Sequence, residues 1–559
     1  MSEIELIPDS AEKEVDWMLE ANASQQAVAA GAPLQEVGKK FSRNVATTIA
    51  ARVVNMARGV CLVPFLLRHI GLEAYGIWTT AFILVSYVGV TTLGLSSVYI
   101  KYVAEFHARK EYDRANSLLS TGLATTIPLC SLIFAAFVVG WDWYSPWLHL
   151  PPSHLSDGKE AVLIVLGVFL SSIALNAFGD MLTGMQQIAS TQLFTIIAIL
   201  VEFALIIWLV DAGRGIRGLA EAYLVRVIIN DGLTIWWARR KLKWLHLSPR
   251  LIRRESLKYV IHFGGTVQFQ SMLGIVLVSV ERVAALGFIN AAAAGLLDVA
   301  KKWPVALSSV PMAFFTALLP AAAHVDASLE GEERKRSLRS LYLSGGRYSN
   351  LSTAAFVALI VFWAYPIMHV WLGSALPGQP MLIPLFIIFA LARQFHMLTG
   401  PGTSIMRGAG RIYEEFYFLI PFFVAIAVLL PMAHWMQGSW TPFGIGVAAS
   451  LATAIAALVL LARMQVVLEL SLGQFLREVI GPSLVCYGVA AALAWPVAHT
   501  VAQVGRWAGA GTLALAGILY AVVSAGILYR WVLTGEEQRR GAEILRRGLG
   551  VLRFGEAAA

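Results

Sequence analysis

Apolar runs of about twenty residues recur through this chain almost from end to end, each long enough to cross about 30 Å of hydrocarbon as a helix. That recurrence leaves few architectures. Backbone amides and carbonyls find no partners in lipid, so a crossing segment is either a helix or a strand of a closed barrel. Ten-residue segments of alternating polarity, the mark of barrel strands, are absent from the sequence. Composition agrees, since 57% of the 559 residues are hydrophobic and 14% charged, where a soluble domain is about a quarter charged. The expected fold class is an all-α polytopic membrane protein.

About fourteen spans meet the length criterion, at approximately 45–67, 76–100, 117–140, 161–185, 192–211, 216–238, 258–288, 292–320, 346–370, 381–405, 413–434, 443–466, 478–500 and 507–531. The seventh and eighth are the least cleanly separated. Short cytoplasmic loops collect Lys and Arg, which gives an independent test of this count. With the N-terminus inside, one set of loops carries Lys101, Arg109, Lys110 and Arg114, then "ARRKLKWLHLSPRLIRRESLK", then "ERKRSLR", then Arg407 and Arg411. The opposite set holds little beyond Arg68, Lys159, Arg214, Arg217 and Arg506. This asymmetry predicts that both termini are cytoplasmic. It also assigns the net charge of +8 to the inner membrane face, with no nucleic acid as partner. Aromatic clusters such as "WDWYSPWLHL" and "HVWLG" fall at the outer ends of spans, where interfacial belts belong.

The flanks differ from the core. Residues 1–40 hold Glu3, Glu5, Asp9, Glu12, Glu14, Asp16 and Glu20 ahead of any apolar run, which predicts a flexible acidic cytoplasmic extension rather than a signal peptide. Residues 533–559 mix Arg with Ile, Leu and Phe and suit a basic amphipathic tail on the inner leaflet. Cys61, Cys130 and Cys486 all lie in apolar runs and read as small core residues, with no disulfide or metal cluster indicated.

A weak repeat runs through the spans. "IGLEAYGIWTTA" (70–81) aligns with "INAAAAGLLDVA" (289–300), and "ALNAFGDMLTGMQQIASTQLF" (174–194) with "LTGPGTSIMRGAGRIYEEFYF" (398–418), setting Gly184 opposite Gly408. The two offsets nearly agree. They suggest two six-helix halves, at 41–240 and 258–467, joined by a basic cytoplasmic linker at 241–257 and followed by two further spans in 468–532. An even number of spans per half keeps the halves in parallel orientation, an arrangement found in secondary transporters.

Several motifs then converge. The stretch from Leu67 to Phe106 opens its second span with Gly71, Tyr75 and Gly76 and continues with "TTLGLSS" (91–97). "MLTGMQQ" (181–187), "FFTALLPAAAHVDA" (314–327) and "MRGAGR" (406–411) follow in order. In order and spacing this resembles the polysaccharide transporter family, the O-antigen and exopolysaccharide flippases of the multidrug/oligosaccharidyl-lipid/polysaccharide exporter superfamily, over roughly residues 40 to 500. The resemblance implies two lobes around a central cavity that opens alternately to either side, lined by helices 1, 2, 7 and 8. It implies an undecaprenyl-pyrophosphate-linked oligosaccharide as cargo in the bacterial inner membrane, and cation coupling by H+ or Na+ with no other cofactor. Membrane lipids and the polymerase or export machinery of the same pathway are the partners it implies. The acidic extension departs from the family's usual start.

Charges inside the spans carry the functional expectation, because each costs at least about 2.5–3.5 kcal/mol at the bilayer centre. Arg52 and Arg58 are about 9 Å apart along the first helix, with Asn55 between them. The three make a candidate anion site, and pairing of the arginines with acids on neighbouring helices is the structural alternative. Lys301 and Lys302 lie about 15 Å into the eighth span. One can meet substrate phosphate while the other pairs with Asp298. Glu281 and Arg282 are candidates for an outer gate or a simple helix cap. Asp180 and Glu202 are candidates for ion coupling, with Arg226 pairing to Glu202 or Asp231.

No phosphate-binding Gly-rich loop, metal-spaced His/Cys set or nucleophile–base constellation is present in the sequence, so an enzyme is not expected. The expected function is a flippase with a cationic cavity. A drug/cation antiporter of the same superfold and a membrane polymerase or ligase acting on the same glycolipid are the alternatives. The antiporter suits an acidic cavity, and the polymerase needs a larger outer loop than residues 141–160 offer.

Overall fold

The computed structural model describes residues 34–89, 95–259, 265–375 and 379–531, together with Gln538. The tail at 533–559 apart from Gln538, and the extension before residue 34, therefore lie outside the described residues, as does the "TTLG" portion of the 91–97 motif. Every one of the fourteen apolar segments falls on helix where described.

In chain order the main helices are α1 (Leu34–His69), α2 (Gly71–Val88), α3 (Leu95–Ala108), α4 (Tyr112–Val139), α5 (Leu155–Gly184), α6 (Ile188–Asp211) and α7 (Gly215–Lys241). Then come α8 (Gly265–Phe288), α9 (Ala291–Leu307), α10 (Ser309–Ser328), α11 (Gly331–Leu372), α12 (Leu382–Gly408), α13 (Phe416–Gln437), α14 (Pro442–Val467), α15 (Leu484–Gln503) and α16 (Arg506–Trp531).

Ten helices among the described residues are long and apolar enough by themselves to span a bilayer. The second expected span is covered by α2 and α3 on either side of residues 90–94, which lie outside the described residues, and the eighth is interrupted at Ser308, between α9 and α10. The sixth expected span, α7, carries Arg226 and Asp231 in its interior.

Local chemistry sets the helix ends. Asn290 is extended and its side chain accepts from Ala293 N at 2.8 Å, starting α9. Thr441 does the same for α14, accepting from Gly444 N at 3.0 Å with Pro442 at the first helical position. Such caps satisfy amides that would otherwise go unpaired in a dry environment.

Contacts divide the chain into two compact units, and these cut across the halves at 41–240 and 258–467. Unit 1 comprises residues up to Gly59, Leu84–Asp142 and Lys159–Met272, while unit 2 comprises Val60–Ile83, Trp143–Gly158 and everything from Leu273. The division has a physical cause. Within unit 2, Trp371 Nε1 donates to Val60 O at 2.9 Å, and α2 approaches α9 so closely that a Cβ on Gly76 would lie 2.1 Å from Ala291 O. Only glycine permits that approach.

Unit 1 has a core of Val98, Tyr99, Phe106, Leu118, Phe178 and Met181 from α3, α4 and α5. The segment at 241–257 is seated on α4 rather than hanging as a free tether. Asn116 donates to Trp244 O at 2.9 Å and accepts from His246 N at 3.0 Å, and Arg253 N donates to Thr121 Oγ1 at 3.1 Å. Unit 2 has a larger core in which Tyr342, Phe418, Phe422, Leu460 and Phe475 meet. Its last two helices pack on α11, where Trp363 Nε1 donates to Ala490 O at 3.0 Å and Tyr520 donates to Ala355 O at 2.9 Å.

The glycines paired by the sequence repeat make the same contact in each unit. A Cβ on Gly184 would lie 2.6 Å from Ile100 O, and one on Gly408 would lie 2.5 Å from Leu319 O. In both units the last residue of a helix presses against the backbone of another helix.

Candidate functional site

Unit 1 centres its membrane charges on Glu202. This side chain of α6 is 1% exposed, and Arg58 of α1 donates to it directly. Arg226 of α7 stands 3.7 Å from the same carboxylate, its guanidinium 4.9 Å above the Tyr223 ring. One buried acid thus holds two arginines from two other helices, which removes most of the cost of desolvating all three. Glu202 is therefore committed to an ion cluster, and Arg58 is part of it. Beside them, Asn230 donates to Asp231 Oδ1 at 2.9 Å and receives the Thr195 hydroxyl at 3.1 Å, while Asp231 Oδ2 is buried without a partner among the described residues. Asp180 of α5 is half-buried, with Ser96 of α3 nearby.

Arg52 differs. It is exposed, as is Asn55, and it has no ion-pair partner among the described residues. It nevertheless lies inside the apolar stretch Ala46–His69. A bare guanidinium on a spanning helix is a ready donor for any anion that reaches it.

Unit 2 gathers its charges where α8, α9 and α2 meet. Asp298 accepts from Lys302 at 2.9 Å, from Arg282 at 3.2 Å and from Tyr75 at 2.7 Å. Lys301, next in sequence but about 100° further round α9, turns to α8 instead, donating to Glu281 Oε1 at 2.5 Å and Val278 O at 3.0 Å. Neither lysine is free. Glu281 is 2% exposed and sits inside a packed ion pair rather than capping a helix at the interface.

Sequence spacing signals the Asp298–Lys302 pair, since i and i+4 share a helix face. It gives no sign of Tyr75, Arg282 or Glu281 as partners, or of what the deep charge Arg393 meets. That residue, on α12, donates to Ser308 Oγ at 2.7 Å, at the break between α9 and α10. Among the described residues no group of three or more metal-ligating side chains is arranged to hold an ion.

Titratable clusters buried among membrane-spanning helices mark functional sites. The solved structures this chain resembles agree on the fold. The lipid II flippase MurJ in an inward closed conformation aligns over 87% of this chain and 98% of its own, with TM-score 0.65 and 14% identity. An inward-facing MATE family multidrug resistance transporter of the MOP superfamily aligns over 75% of this chain and 94% of its own, with TM-score 0.59 and 15% identity. Among curated proteins, the chain is 21% identical over 363 residues to EpsK of Bacillus subtilis (strain 168), an uncharacterised membrane protein, covering 63% of this chain and 68% of that one.

The chain belongs to the polysaccharide biosynthesis protein family (Polysacc_synt), which it matches over residues 41–325. Its fold is the one shared by the flippase and transporter structures named above.

Proposed function

We propose that this protein flips an undecaprenyl-pyrophosphate-linked oligosaccharide across the bacterial inner membrane by alternating access, with both termini in the cytoplasm. The cargo joins a polar sugar to a lipid tail through a doubly anionic pyrophosphate. Moving that charge through hydrocarbon requires cations at depth. The observation that carries the reading is Arg52, exposed within a spanning helix and holding no carboxylate among the described residues. Its fork can engage two phosphate oxygens at once. Arg58, one and a half turns on, supports it from the Glu202 cluster, and Asn55 offers hydrogen bonds to sugar or phosphate. Within unit 2, Lys301 and Lys302 can each meet an anion when their pairs with Glu281 and Asp298 open.

The drive comes from an ion gradient, H+ or Na+, through an acid such as Asp180. Polymerisation or export machinery consumes the cargo on the far side.

The test replaces the chromosomal copy with Arg52→Ala, Arg52→Glu and Arg52→Lys. Lipid-linked oligosaccharide on the inner leaflet is then measured beside membrane protein level. Stalled precursor at normal protein level is expected for Ala and Glu, with partial export for Lys. Full export by Arg52→Glu at normal level overturns the reading.

A further inference from the structure

Within unit 2 lies a cleft of about 90 Å³ whose walls include Glu281, Lys301, Phe389, Arg393, His396 and Ser450. A single water needs only about 10–15 Å³ on this scale, so the space is roomy. Two polar atoms of its lining, Arg393 Nε and Ser450 Oγ, are fully buried and have no hydrogen-bond partner among the described residues. Both can donate, and an unpaired buried donor costs about 1–3 kcal/mol, more when charged.

The charges around the cleft do not balance. On α8 and α9 the carboxylates are Glu281 and Asp298, and both are taken, the first by Lys301 and the second by Arg282 and Lys302. The sequences of α12, α13 and α14 contain no Asp or Glu, and neither does 259–280. Arg407 and Arg463, at the ends of α12 and α14, are matched by Glu415 and Glu414. That leaves Arg393, whose recorded acceptor is the neutral Ser308 hydroxyl. Four cations in this region meet two carboxylates. Arginine does not shed its proton in proteins, so the imbalance cannot be relieved by titration of Arg393. Water in the cleft would satisfy the donors yet leave the charge uncompensated.

We propose that this cleft binds a small inorganic anion, chloride in the cell, as the counter-ion of Arg393. Arg393 Nε and the Ser450 hydroxyl donate to it, and His396 completes the polar wall. Glu281 does not repel it strongly because Lys301 already neutralises that carboxylate. The apolar remainder of the wall suits a weakly hydrated halide, which needs few donors. The proposal is independent of the cargo, because it rests on charge balance within unit 2 alone.

The test is thermal unfolding of the purified protein in detergent at constant ionic strength. Sodium gluconate is exchanged stepwise for chloride or bromide, with inorganic phosphate and pyrophosphate as further arms. Chloride and bromide should raise Tm by about 2 °C or more and saturate, as expected for a ligand that binds only the folded state. Arg393→Gln should abolish the rise. Because that variant can fail to fold, Ser450→Ala provides a second reading, with half-saturating chloride raised about tenfold by loss of a charge-assisted hydrogen bond. Equal Tm in chloride and gluconate overturns the proposal, as does an intact chloride response in Arg393→Gln. Protection by pyrophosphate alone also overturns it and assigns Arg393 to an oxyanion.

Discussion

Asp298 and Lys302 sit one turn apart on α9, and their side chains meet at 2.9 Å. The pair is local, yet the carboxylate also collects Arg282 from α8 and Tyr75 from α2. Three donors on one buried acid make it the fastening point of three helices within unit 2.

That convergence predicts an asymmetry. Asp298→Ala strands two cations in a dry site and should lower stability by about 3–5 kcal/mol, the cost of breaking a buried pair from one side. Lys302→Ala leaves Arg282 and Tyr75 in place and should cost clearly less. Melting of each purified variant in detergent checks the order. Equal losses would mean that Arg282 and Tyr75 contribute nothing at Asp298.

The close approaches of Gly184 and Gly408 predict parallel defects. Alanine at either position would drive a methyl to 2.6 Å from Ile100 O or 2.5 Å from Leu319 O, and rigid backbone cannot yield cheaply. Each substitution should cost about 1–3 kcal/mol. Gly517→Ala, with nothing within 4 Å of the added carbon, should be neutral or slightly stabilising. Abundance and Tm of the three variants, measured side by side, give the comparison.

These contacts also show where sequence reading succeeds and stops. Membrane helices were legible because lipid imposes one requirement on every span, which apolar length alone reports. Gly184 and Gly408 were legible as equivalent because a repeat carries its backbone contacts with it. The boundaries of the compact units were not, since the grouping of 60–83 with the C-terminal half depends on Gly76 meeting Ala291. Charge positions could be read off, but charge partners could not. Asp298–Lys302 obeys a helical period, whereas Arg58 and Glu202 are 144 residues apart and nothing local joins them. In the sequence Arg393 is one deep charge among several, and only the structure shows that it meets no carboxylate among the described residues.

Topology can be checked at Leu247, an exposed residue of the basic segment seated on α4. In a background without native cysteines, Leu247→Cys should resist a membrane-impermeant thiol reagent added to intact cells and react after permeabilisation. Ready labelling from outside would invert the orientation proposed from the Lys and Arg asymmetry.

A further pair lies clear of the spans. Lys335 donates to Glu469 at 2.7 Å, and this hydrogen bond holds the Glu469 carboxyl below its ordinary range, with Arg339 adding to the effect. A depressed folded pKa means stabilisation that is full above the unfolded value of about 4.3 and lost as pH falls through the folded one. Glu469→Gln should therefore melt slightly below the parent protein at pH 7. The gap should close on acidification below about pH 4 and shrink in high salt, because the group is exposed. A gap that persists at low pH would assign the effect to something other than charge.

The first helix supplies the sharpest contrast, because its two arginines have different surroundings. Arg58 is tied to Glu202, and Arg226 stands 3.7 Å from that same carboxylate. Glu202→Gln would leave both guanidiniums without an acid and should reduce membrane protein level most. Arg58→Ala should be less damaging, since Arg226 still faces Glu202 and the acid keeps a partial counter-charge. Arg52 has no such ties among the described residues, so Arg52→Ala should leave abundance unchanged and stability within about 0.5 kcal/mol of the parent, as for a substitution that removes no packed contact. Loss of export should then follow a different order from loss of protein. Arg52→Ala should stall lipid-linked precursor with protein intact, whereas Glu202→Gln should lose export in step with protein. Quantitative blotting beside precursor measurement for the three variants separates the two effects. If Arg52→Ala lost protein as severely as Glu202→Gln, Arg52 would have a structural partner and the anion site on the first helix would have to be abandoned.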